Sequence, residues 1–73
     1  MVAPASNEIV FEVLDDPEGG VVARALGHSI VTQAADFDAL KAAVRDAVAC
    51  HFDDSMAPKV IRLHYVRDET IAA

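Results

Sequence analysis

The sequence predicts a two-layer α+β domain, β-β-β-α-β, with a four-stranded mixed sheet in the order 3-2-1-4 and one helix covering one face. Three observations predict it. Residues 8–26 alternate apolar and polar about a turn at Asp16-Pro17-Glu18-Gly19, which is the pattern of a hairpin. Residues 37–52 repeat their large apolar side chains at helical spacing. Residues 59–66, KVIRLHYV, return to the period of a strand.

The first strand is Glu8–Leu14, with Ile9, Phe11 and Val13 on one side and Val10, Glu12 and Leu14 on the other. Asp suits the first position of a type I turn and Pro presets the second. Gly19 can take the left-handed conformation that closes a bulged hairpin. With residues 16–20 as the loop, Phe11 faces Ala25, Val13 faces Ala23, and Glu12 faces Arg24 across the second strand, Val21–Leu26. The two alanines leave room on the buried side for helix side chains.

Gly27-His28 makes a corner and Ser29–Thr32 a short third strand, expected at an edge; Gln33–Ala35 connects it to the helix. Asp36 is the expected N-cap, because its carboxylate can accept from amides left unbonded in the first turn, where Asp38 adds favourable charge. Phe37, Leu40, Val44, Ala47, Val48 and His51 form one stripe; Lys41, Arg45, Asp46 and Ala49 face away. Pro58 bars continuation of the helix. In the fourth strand Ile61, Leu63 and Tyr65 are expected beneath the helix, opposite in direction to Val60, Arg62, His64 and Val66. A right-handed crossover returns this strand parallel to the first, which makes the first strand central. The core spans about residues 8–66 of a single domain (1–73), with flexible ends at 1–7 and 67–73.

The chain has 73 residues and is 53% hydrophobic, enough for a packed globule but near the size at which a core becomes marginal. Twelve acidic against six basic residues give a net charge of −6, a poor match to nucleic acid and a better one to a basic protein. The lone Cys50 excludes an internal disulfide, the N-terminus lacks the pattern of a signal peptide, and no apolar run is long enough to span a bilayer. The expectation is a cytoplasmic protein that touches neither membrane nor nucleic acid directly.

The face without a helix carries Val10, Leu14, Val22, Leu26, Val60 and Val66, with Glu12, Arg24 and Arg62 among them. In the predicted order Glu12 lies between two arginine-bearing strands. Aliphatic side chains around a neutralised charged row make a poor solvent surface, so this face, or the short third-strand edge, is expected to pair with another chain, in a dimer or larger homo-oligomer. Asp15, Asp16 and Glu18 crowd the hairpin tip, where they suit a solvated turn or a basic partner.

Catalytic and metal chemistry is not expected. In Cys50-His51-Phe52-Asp53-Asp54 the adjacent Cys and His point about 100° apart on a helix, and no second Cys or paired His stands at ligand spacing. His51 at a helix C-terminus fits a dipole contact. His28 and His64 have no nucleophile placed beside them. Gly19-Gly20 joins strand to strand with no Lys-Ser/Thr after it, so it is no phosphate loop. No cofactor is expected.

The ordered run FEVLDDPEGGVVARALG, then IVTQAADFDALKAAVRDAV, resembles the HicB-like antitoxin family over about residues 9–66, and in particular its short stand-alone domains. The shared features are a first strand, an acidic loop ending in Gly-Gly, a strand entering small residues, a Thr-bearing third strand and a helix opened by Asp. Val21 stands where that family commonly has an aromatic. The resemblance implies a truncated RNase H-like fold and an oligomer that blocks a small basic toxin, HicA-like, that cleaves messenger RNA. Glu12 and Asp36 do not match the acidic set of a working RNase H, so no nuclease activity is expected. The other reading of the same residues is a stand-alone adaptor or small-ligand-binding homodimer with no toxin partner.

Overall fold

A computed structural model describes residues 7–73. The elements run β1 (Glu8–Asp15), β2 (Val21–Ala25), β3 (Val31–Ala34), α1 (Phe37–His51) and β4 (Val60–Val66), and the sheet order is β3-β2-β1-β4. This is the architecture the periodicities predict. The hairpin register also agrees, with Phe11 opposite Ala25, Glu12 opposite Arg24 and Val13 opposite Ala23. β4 pairs parallel to β1, as a right-handed crossover requires.

The turn explains that register. Gly19 N–H donates to Asp16 C=O and Asp16 N–H to Gly20 C=O, both at 2.9 Å, while the Asp16 carboxylate accepts from Glu18 N–H at 2.9 Å. Gly19 and Gly20 have φ of 108° and 85°, conformations that side-chain-bearing residues rarely adopt. Asp36 caps the helix as expected, its Oδ1 accepting from Ala39 N–H at 2.7 Å. A cap of this kind contributes about 1 kcal/mol.

Ile9, Phe11, Val13, Val21, Ala23, Ala25, Ile30, Leu40, Val44 and Val48 form the buried core, the helix-side faces of β1 and β2 meeting the α1 stripe. The helix lies over β2 and β3 rather than over the middle of the sheet. Two causes act together. Only Ala35 and Asp36 separate β3 from α1, so the helix starts above that edge. Ala23 and Ala25 then let it settle close, whereas the larger Ile61, Leu63 and Tyr65 would hold it off.

Four expectations change accordingly. Tyr65 is not beneath the helix but 41% exposed, and Ile61 and Leu63 are only half-buried at its flank. His51 is exposed rather than part of the buried stripe, its ring edge-on to Phe52 with centroids 4.8 Å apart. The third strand lies two residues later than Ser29–Thr32, because Ile30 is drawn into the core while its carbonyl accepts from Ala25 N–H. Asn7 is no loose end: its carbonyl accepts from Lys59 and Val60 N–H, both at 2.8 Å, and so anchors the start of β4. The rest of the expected N-terminal lead-in, residues 1–6, lies outside the described residues. Among the described residues, no helix is long and apolar enough to cross a membrane.

Candidate functional site

The alternation that buries Ile9, Phe11 and Val13 turns the intervening side chains to the opposite face, and no described element packs over it. On that face Val10, Leu14, Val22 and Val66 are half-buried by their neighbours, and Leu26 (55% exposed), Val31 (63%) and Val60 (50%) stand in the open. The register arranges them in rows. Val31, Arg24, Glu12 and His64 form one row, and Gln33, Val22, Leu14 and Val66 the next.

Glu12 lies between the two arginine-bearing strands, as expected, but only one arginine stands level with it. Glu12 has Arg24 on one side and His64 on the other, whereas Arg62 stands beside Val10. Arg62 instead bonds Glu8, Nε to Oε2 at 2.6 Å. The reason is geometric: with β4 parallel to β1 and Val60 level with Glu8, Arg62 arrives one pleat short of Glu12. Arg62 is paired with Glu8 and Arg24 stands level with Glu12, so the face remains aliphatic with near-balanced charge. Val31, Gln33 and His64 belong to it as well. Val31 and Gln33 are not legible from the sequence, because the shifted start of β3 hides their direction. His64 is legible from the alternation of KVIRLHYV alone.

The acidic hairpin residues divide by role. The Asp16 carboxylate is engaged within the turn, and Glu18 is exposed. Asp15 points to the helix side, where it accepts the Tyr65 hydroxyl hydrogen bond and lies 3.8 Å from Arg67 Nε. The Tyr65 ring stacks on Phe37, centroids 5.3 Å apart and planes 20° from parallel. This ties the end of β4 to the start of α1.

The hydrogen bond to Asp15, with lesser contributions from burial and the carboxylate charge, raises the Tyr65 pKa; Arg67 opposes. A raised pKa means the folded state holds the proton more tightly. The contact therefore contributes fully below about pH 10 and is lost as pH rises through the folded value. Tyr65 is the only tyrosine, so an ultraviolet titration reads it directly. The folded chain is expected to ionise at higher pH than the urea-unfolded chain, and Asp15→Ala to abolish the difference; equal midpoints in the unsubstituted chain would refute the contact.

A groove of about 370 Å³ runs between α1 and β4, lined by Phe37, Val44, Ile61 and Leu63 with Lys41 and Arg45 at its rim. It exists because the helix sits off-centre. Lys41 is 3.4 Å from Asp38 and lies 5.5 Å from the Phe37 ring centre. Among the described residues no three His, Cys, Asp or Glu side chains gather in a way that could hold a metal ion. Cys50 is exposed, and the rings of His28 and His51 meet edge-on at 6.0 Å.

A protein of Thermotoga maritima named UPF0150 protein is 40% identical to the chain over 66 residues, which cover 90% of this chain and 93% of the relative. The chain belongs to the UPF0150 family. A second UPF0150 protein, from Archaeoglobus fulgidus, is 47% identical over 51 residues, covering 70% of this chain and 77% of its own. No family model matches the chain, and no solved structure does. UPF0150 is a family of small uncharacterised proteins, so membership carries the relationship and no activity.

Proposed function

We propose that this UPF0150 protein is a non-enzymatic interaction module of the HicB-like antitoxin type. It works by occlusion: the acidic chain docks a small basic mRNA-cleaving protein and denies RNA its site. The observation that carries this reading is the sheet face that no described element covers, where Val22, Leu26, Val31 and Val60 surround Arg62, paired with Glu8, and Arg24, which stands level with Glu12. Such a surface gains free energy by being covered, at about 25 cal/mol per Å² of apolar area. The net charge of −6 steers a basic partner toward it.

The test is co-expression with the product of an adjacent small basic reading frame. The chain is expected to restore growth and to co-purify with that product. Leu26→Arg and Val31→Arg, both exposed and therefore harmless to folding, are expected to weaken capture at least about tenfold by placing like charge in the interface. Toxicity unchanged by the chain would refute the reading. Recovery of the chain with only itself or a metabolic enzyme would favour a stand-alone adaptor or ligand-binding homodimer.

A further inference from the structure

The two edges of the sheet are unequal. β3 has four residues and β4 seven. Proteins protect exposed edges by shortness, proline, bulges or covering segments, because unpaired N–H and C=O groups otherwise recruit another strand. Shortness protects β3. β4 has no proline within it, no described segment bonds along its outer side, and residues 67–73 continue as exposed coil.

Charge makes this edge unusual as well. The chain has twelve acidic residues, yet Lys59–Val66 contains none. The arginine at its middle is answered from within the sheet, Arg62 by Glu8 at 2.6 Å. Two copies that repel elsewhere can therefore approach here.

We propose that β4 pairs antiparallel with β4 of a second copy, about a two-fold axis at Leu63. This rests on the expectation of self-association and not on the toxin reading. The register follows from the side chains. Leu63 then faces its own copy and Ile61 faces Tyr65, so the residues the helix leaves half-covered meet apolar partners. Val60 faces Val66 on the opposite side of the sheet, and Arg62 faces His64. All seven residues of the strand are paired. An axis at Arg62 would set arginine against arginine, and a one-residue slip would set Leu63 against Arg62 or His64. The product is a continuous sheet in the order 3-2-1-4-4-1-2-3, with both helices on one side and both open faces joined into one.

The solution mass of the purified chain, measured from micromolar to millimolar concentration, is expected to reach that of two chains. His64→Lys keeps a favourable neighbour in Glu12 and so leaves the fold intact. Across the axis it sets lysine against Arg62 twice per dimer, and it is expected to weaken association about tenfold. With Cys50→Ser as background, Arg62→Cys mixed with His64→Cys is expected to form a disulfide on oxidation, since facing residues lie about 4.5–5.5 Å apart. Either cysteine variant alone is expected not to cross-link. A mass of one chain throughout, an unaltered dimer with His64→Lys, or cross-linking of either variant to itself in preference to the mixture would overturn the proposal. These measurements use the chain alone, so failure of the toxin test does not alter what they decide about pairing.

Discussion

Phe11→Ala is expected to cost about 3–5 kcal/mol, the range for emptying an aromatic site in a core. Phe11 is 0% exposed at the middle of the central strand, between Ala25 on β2 and Leu63 on β4, with Leu40 and Val44 also fully buried in the same cluster. Relaxation into the cavity is poor on one side, because Ala23 and Ala25 have no side-chain length with which to follow. Domains are stable by only about 5–15 kcal/mol, and a chain of this size belongs to the lower part of that range. Much of the variant is therefore expected to be unfolded in urea concentrations that leave the parent intact. Far-ultraviolet circular dichroism against urea measures this, and a loss below about 1.5 kcal/mol, well short of the usual range, would refute the central role given to Phe11.

Gly20→Ala should come next in size, for a different reason. At Gly20, φ is 85°, and an added Cβ would stand 2.5 Å from the carbonyl oxygen of Ala34. The neighbour is backbone of β3, so it cannot swing aside as a long side chain would. Left-handed strain alone costs about 1–3 kcal/mol, and the contact adds to it. Gly27 supplies the control, since it shares a φ of 85° but has nothing within 4 Å of the added carbon. Gly20→Ala is expected to exceed Gly27→Ala by at least about 1 kcal/mol in the same urea titration, as a contact requiring backbone displacement should. Equal losses would mean that the hairpin end does not press on β3.

These two sites differ in how far they can be read in advance. The burial of Phe11 follows from alternation in residues 8–14, and its register against Ala25 from turn chemistry at Asp16-Pro17-Glu18-Gly19. Both are local effects, decided within a few residues. The contact of Gly20 with Ala34 is not local: it depends on how the start of β2 meets the end of β3. The expected partner face shows the same division. Val10, Leu14, Val22 and Leu26 are placed on it by period alone, whereas the partner of Arg62 depends on how far β4 slides along β1. That offset is fixed by the loop after the helix and by the carbonyl of Asn7, which receives the first amides of the strand.

By itself the sequence determined the kinds of element, their order, the hairpin register, the Asp36 cap and which side chains of each strand share a face. Those properties come from backbone preference and side-chain period, which act over one turn or one pleat. The tertiary structure alone decided where the helix rests on the sheet. It lies toward β2 and β3 because alanines admit it there and a short connection holds it, and this leaves β4 with its helix-side residues half-covered and its outer edge bare. Packing volume sums over several strands at once, and no window along the chain contains that sum.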